Sequence, residues 1–333
     1  MKPDEKPAAT RKKGTTSKPR TKKPHVAPIP PASNDNISRR IGGLVPAALR
    51  GSDRFLDIVN WNIKYFTSGD PRRVRLVTLL MEEINADLFV LQEIEHGSLD
   101  GVVQALRDAH AGSYKVHYGA TGGDQRIAFV YDTEWVKSKQ DITDIFKEHN
   151  DATPGRKKPF PRLPLYSQFT GRTSGKAFDF HLMGVHLKSQ RVAQGATDAG
   201  DAQREAAAVR LARWMKAELD DEQDAIVMGD FNAPPDRKEW EALRELERTD
   251  KARFVSWNDK KEGSHFYKSG RNSRLDLVLV SKDADGNAVD KKAHVINWND
   301  AFPKTDLFND IVTYISDHRP VISRFYFDER NDD

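Results

Sequence analysis

Polar residues recur in this chain at the points where apolar runs stop. Asn62 interrupts LDIVNWNI, Glu93 follows LFVLQ, His186 follows LMGV, Asp230 and Asn232 follow IVMG, and Asp317-His318 precedes PVISRFYF. Asp276 sits inside LDLVLV. Each has an ordinary explanation alone, since Asn and Asp form turns, a terminal glutamate can emerge into solvent, and a lone histidine can be a satisfied imidazole. Jointly, those explanations require the same coincidence at one strand end after another. Asp276 resists them most, because a carboxylate between Leu275 and Leu277 is costly to bury unless it is paired or bound to a cation.

A single chemistry unites these residues if they converge. Glu93 with Asp317 or Asn62 supplies hard oxygen donors for Mg²⁺, which prefers octahedral coordination at about 2.1 Å and keeps waters that a phosphate can displace. Asp230 and Asn232 fall on one side of an extended segment and can orient a water and a phosphate oxygen. His186 and His318 titrate near neutrality, and Asp276 is a natural partner to fix the tautomer of His318. The chemistry implied is metal-assisted in-line attack of water on a phosphodiester.

The sequence predicts the elements that must carry this set. Strands are expected at 56–63, 86–94, 126–132, 177–187, 225–230, 274–281 and 320–327, and the 177–187 run is apolar on both alternating faces, as a doubly buried strand should be. Amphipathic helices are expected at 72–84 and 98–109, and Asp201 is placed to cap a third running to about Glu218. Alternating strands and helices of this kind indicate an α/β or α+β domain over residues 51–333.

Residues 1–50 differ in kind, being rich in Lys, Pro, Thr, Ser and Ala, and they predict a disordered basic tail. They hold twelve Lys or Arg against Asp4, Glu5 and Asp35, a net +9, so the chain's net +3 leaves −6 for the rest. An acidic body must attract a polyanion through a local patch or a bound cation, and the tail can add a contact of its own. There is no cysteine, so any metal must sit on oxygen or imidazole. No run approaches the roughly 20 apolar residues of a membrane helix, and no apolar secretory signal is visible, which predicts a cytoplasmic protein.

The ordered words WNI, LQE, RIAFVYD, RLPLYSQF, GVHLKS, GDFNAPP, SRLDLVLVS and SDHRPV resemble the endonuclease/exonuclease/phosphatase superfamily, from about Phe55 to Phe327. The resemblance implies a four-layer sandwich of two packed mixed β-sheets flanked by helices. It also implies Glu93 as principal metal ligand with Asn62 and Asp317 beside it, and His186 and His318, the latter oriented by Asp276, as base and acid. Asp230 and Asn232 would position nucleophile and phosphate, with Arg126 and Lys64 as substrate contacts. His186 and the Leu275-Asp276-Leu277 context resemble the deoxyribonuclease I-like branch, with Mg²⁺ (or Mn²⁺ or Ca²⁺) as cofactor and DNA as substrate. A phosphatase or phosphodiesterase for a lipid or small substrate stands as an alternative, as does a non-catalytic nucleic-acid-binding module. Segments 141–160 and 189–200 carry no family pattern and are expected to be loops that set substrate choice.

Overall fold

The structure is a computed structural model that describes residues 43–150, 158–173, 175–191, 200–218, 223–257, 263–267, 272–297 and 311–327. Its strands in chain order are β1 (Phe55–Phe66), β2 (Leu88–Ile94), β3 (Tyr114–Tyr118), β4 (Arg126–Asp132), β5 (Val136–Ser138), β6 (Thr143–Asp144), β7 (Leu165–Thr173) and β8 (Lys176–His186). Then come β9 (Ala225–Asp230), β10 (Ala252–Phe254), β11 (Ser256–Trp257), β12 (His265–Phe266), β13 (Asn272–Ser273), β14 (Asp276–Ser281), β15 (Lys292–Val295) and β16 (Val321–Tyr326). One sheet runs β11-β15-β16-β1-β2-β4-β3 and the other β10-β14-β9-β8-β7-β5, with β6 on β7 and β12-β13 forming a separate hairpin. Both sheets are mixed, as β1–β2 and β8–β9 are parallel while β1–β16 and β7–β8 are antiparallel.

Period-two alternation decides what each strand shows to which layer. On β1, Leu56 and Ile58 join the core between the sheets, while Val59, Trp61 and Ile63 pack outward with Leu76, Leu80 and Ile84 of helix Pro71–Ile84. Asp70 starts that helix by accepting from the Arg72 and Arg73 N–H groups, Pro71 fills its first position, and left-handed Asn85 ends it. Helix Asp100–Asp108 lies beside it, whereas helices Asp201–Arg213 and Glu241–Arg248 pack with the second sheet. Asp201 opens its helix after left-handed Gly200 but makes no cap bond, because its carboxylate pairs with the fully buried Arg204 instead.

The layers close tightly beneath the site. A Cβ on Gly184 would lie 2.9 Å from both Phe129 and Val90 of the facing sheet, and one on Gly229 would lie 1.9 Å from the Val185 carbonyl. No side chain fits at Gly229, and one at Gly184 would have to displace its neighbours. Residues 1–42 of the expected tail, and parts of the two expected loops (151–157 and 192–199), lie outside the described residues. Leu44 and Val45 are buried against the first sheet's outer core, so the packed part begins ahead of Gly51. No helix among the described residues is long and apolar enough to cross a membrane.

Candidate active site

The inner faces of the two sheets change character along their length. On β1 the series Leu56, Ile58 continues as Asn60, Asn62, and on β2 Leu88, Val90 continues as Gln92. Opposite them, β8 ends in His186, which pairs in register with Asp230 of β9, and Asp230 pairs with Asp276 of β14. Register therefore sets three titratable side chains side by side along one edge of the second sheet, facing the polar end of the first. One more element completes the cleft, the segment 316–318 leading into β16.

A buried hydrogen-bond chain crosses between the layers. Gln92 donates to Asn60 Oδ1 (2.7 Å), Asn60 donates to Asp276 Oδ1 (3.2 Å), and His318 Nδ1 donates to Asp276 Oδ2 (2.7 Å). The Asp276 backbone is itself fixed, since its N–H donates to Ser264 Oγ at 3.0 Å. Trp61 Nε1 donates to the His318 carbonyl at 3.0 Å and Ser316 Oγ receives the His318 N–H at 3.0 Å. The imidazole is thus held in one orientation, with Nε2 turned toward Asp230 Oδ2 at 3.8 Å.

Glu93, Asn62, Asp230 and His186 meet at the mouth. Asn62 Nδ2 bridges two carboxylates, donating to Glu93 Oε1 at 3.2 Å and to Asp230 Oδ2 at 3.0 Å. His186 Nε2 lies 3.8 Å from Glu93 Oε1 and 3.7 Å from Asp230 Oδ2. Glu93 sits at a register shift in β2 and adopts φ +62°, which turns its side chain into the cleft; the Tyr65 N–H donates to its other oxygen at 3.1 Å. Asn232 also has positive φ (+59°), folds back so that its N–H reaches Asp230 Oδ1 at 2.8 Å, and donates its amide to the Leu187 carbonyl. Non-glycine residues in this region are strained, and strain of this sort gathers at functional sites.

Asp317 stands to one side of this group. Lys64 Nζ sits 2.7 Å from its Oδ2, and His265 Nε2 is 3.8 Å from the same oxygen. Arg126 hydrogen bonds to the Gly123 carbonyl. The arginine whose charge acts on Glu93, Asp230 and His186 is Arg162, which hydrogen bonds to Gln125. Sequence reasoning passed over Arg162, although it lies in the RLPLYSQF word, and also His265, Asn60 and Gln92. His265 carried no sequence signal, because its ring meets that of His318 (centroids 4.6 Å apart) only through the fold.

The electrostatics divide the two imidazoles of the cleft. Burial disfavours charge on His318, yet Asp276 and Asp230 outweigh it and raise its pKa to about 10. His186 is driven well below its ordinary value by burial and then by the charges of Arg162 and His318. At neutral pH one ring is a cation and the other is neutral. Burial pushes the Asp230 carboxyl up to about 7 against the pull of His318, and lowers His265 to about 4. Asp317 stays low because, despite its burial, His318 and Lys64 favour its charge.

Several of these donors could hold a divalent cation. Glu93 offers a carboxylate at the mouth with no Lys or Arg ion-pair partner among the described residues, and Asp230 is close by. Two clusters have ligand atoms within 4.8 Å of one another: Asp230, Asp276 and His318, and His265, Asp317 and His318. In the first, Asp276 is already engaged by His318, which makes Glu93 the better anchor for a hard ion.

Two packed mixed sheets with a carboxylate, amide and histidine cluster between their polar ends define a phosphoester hydrolase fold and site. The chain belongs to the Endonuclease/Exonuclease/phosphatase family, whose profile it matches over residues 59–318; members of this family are divalent-metal-dependent hydrolases. Among solved structures it is similar to an endonuclease/exonuclease/phosphatase from Bacteroides vulgatus (15% identity, TM-score 0.56, covering 82% of this chain and 99% of that one). It is likewise similar to a humanized D. rerio TDP2 (16%, 0.53, 81% and 98%) and to a mannosyl-6-phosphatase from Bacteroides thetaiotaomicron (17%, 0.52, 80% and 98%). At these identities the likeness establishes the fold. No curated protein matches the chain by sequence.

Proposed function

We propose that the chain is a divalent-metal-dependent phosphodiesterase, a nuclease that hydrolyses DNA by in-line attack of an activated water. The observation that carries this reading is the meeting of Asn62, Glu93, His186, Asp230 and His318 in one cleft, each within 3.8 Å of another. Asp230, poised near neutrality, takes the proton from the attacking water. His318, a cation held by Asp276, faces the phosphate oxygens on which charge accumulates. His186 contributes a neutral ring beside them, and Asn232 fixes the aim of Asp230. Arg162 and Lys64 supply the local positive charge that the acidic body otherwise lacks.

Glu93 would hold Mg²⁺, oriented by Asn62 and the Tyr65 N–H, with Asp317 adjoining through Lys64. The bound ion would polarise the phosphate and neutralise charge on the leaving oxygen. The choice of DNA follows from the deoxyribonuclease-like pattern, His186 together with the leucines that flank Asp276.

The test is to incubate the protein with plasmid DNA, RNA, phospholipid and sugar monophosphates in parallel, with Mg²⁺, Mn²⁺ or Ca²⁺ and with EDTA. DNA cleavage should appear with metal and vanish on chelation, and Glu93→Ala and His318→Ala should each nearly abolish it. Near wild-type activity in either variant would remove the mechanism, and exclusive release of phosphate from a sugar would reassign the substrate.

A further inference from the structure

The bulge at the end of β1 exposes an aromatic ring beside the catalytic cleft. Lys64 and Tyr65 are consecutive left-handed residues, with φ +47° and +45°. An L-residue there is strained in a way that Gly or Asn would relieve. The bulge is nonetheless fixed from below. Arg73 donates to the carbonyls of Ile63, Lys64, Tyr65 and Ile315, and the Tyr65 N–H is committed to Glu93 Oε2. All of this concerns the backbone; the ring takes no part.

The Tyr65 side chain is turned out instead, and the residue is 49% exposed, one of three large apolar or aromatic residues so exposed among the described residues. A ring in water on a strained backbone adds little to the fold. Its position is more telling than its exposure. Tyr65 adjoins Glu93 through its own N–H, which donates to Glu93 Oε2 at 3.1 Å. Arg162 acts on Glu93 and Asp230. An exposed aromatic ring therefore belongs to the residue whose backbone holds Glu93, the carboxylate beside which a phosphate would sit. The rim continues in the same chemistry, for Glu95 N–H donates to the Phe66 carbonyl, and the next residue, exposed His96, rests against Tyr118 with ring centroids 4.9 Å apart.

The geometry points to Tyr65 as a stacking platform for a nucleobase adjacent to the scissile phosphate. This rests on the phosphodiesterase reading above and names what that site recognises besides phosphate. Stacking on an aromatic ring tolerates any base, because every base has a π face. The platform thus favours base-bearing phosphodiesters over base-free ones without imposing a sequence.

The experiment compares kcat/KM on an oligothymidylate with that on an equal-length oligomer of 1,2-dideoxyribose phosphate, which has the same backbone and no bases. Wild type should prefer the base-bearing substrate by roughly tenfold, the worth of one stacked base. Tyr65→Asn removes the ring while suiting the left-handed backbone; it should collapse that ratio toward one, through KM, and Tyr65→Phe should keep it. An unchanged ratio in Tyr65→Asn overturns the platform, as does an equal loss on both substrates. Equal cleavage of both by wild type removes the platform and leaves the phosphodiesterase standing, whereas cleavage of neither in the presence of metal removes both.

Discussion

Replacing Asp230 by Asn should destroy activity and yet stabilise the metal-free protein at alkaline pH. Asp230 is buried among Asp276, Asn62 and His318, and its carboxyl is raised from 3.8 to about 7. A raised carboxyl means that the native state holds the proton more tightly than the unfolded chain does. Stability attributable to this group is therefore complete below pH 3.8, declines as pH rises, and is lost above pH 7. At about 1.4 kcal/mol per pKa unit, a shift of about 3 units costs the folded wild type about 4 kcal/mol at pH 8. Asn cannot ionise, so the variant escapes that cost. It also turns an amide toward Asn62 Nδ2, now 3.0 Å from the carboxylate, and gives up a partner of the His318 charge. Those losses of about 1–3 kcal/mol leave a net gain of about 1–3 kcal/mol at pH 8 and a net loss near pH 4. Urea denaturation in EDTA at several pH values measures it directly. A variant less stable than wild type at pH 8, or a difference that does not change with pH, would refute the reasoning.

Asp276→Asn removes the largest influence raising His318, so its imidazolium should deprotonate at lower pH and the alkaline limb of the kcat/KM profile should move down. Gly184→Val would drive side-chain atoms into Phe129, Val90 and Ile127, already 2.9–3.0 Å from a lone Cβ, and should cost about 1–3 kcal/mol in urea unfolding. Deleting residues 1–42 should weaken DNA binding mainly at low salt, given that eleven of the twelve basic residues of the N-terminal segment lie within it; equal affinities at all ionic strengths would dispose of a role for the tail.

The parts of this fold that were legible in sequence are those where burial is two-sided. RIAFVYD and AIVMGD form strands with the limits expected, and the doubly apolar 177–187 run is β8, buried over its C-terminal half. In contrast LYSQFTGRT, which became β7, alternates buried and half-buried residues, and no strand was predicted there. Helix Glu241–Arg248 buries only Leu243 and Leu246 and was also missed. Within the site, strand ends announced Asn62, Glu93, His186, Asp230 and His318 because polar residues interrupt apolar runs there. Arg162, His265 and Tyr65 escaped for a different reason. Their placement depends on contacts between remote segments and on a bulge whose left-handed residues have no sequence signature when they are Lys and Tyr rather than Gly or Asn.

The same two-sided burial explains how the site tolerates its own cost. Asp230 and Asp276 are buried carboxylates in adjacent strands, an arrangement that by itself favours slippage or separation. A one-residue shift of β9 would reverse its faces, yet both faces are apolar, so burial alone would not forbid it. What forbids it is steric. Gly229 is the residue of β9 that can lie under the Val185 carbonyl, since a Cβ there would come within 1.9 Å of that oxygen. Shifting the strand by one residue in either direction puts Met228 or Asp230 at that point and produces the collision. The glycine before Asp230 therefore sets the register that aligns His186, Asp230 and Asp276, and this row is held by the close approach of two backbones rather than by the charges within it.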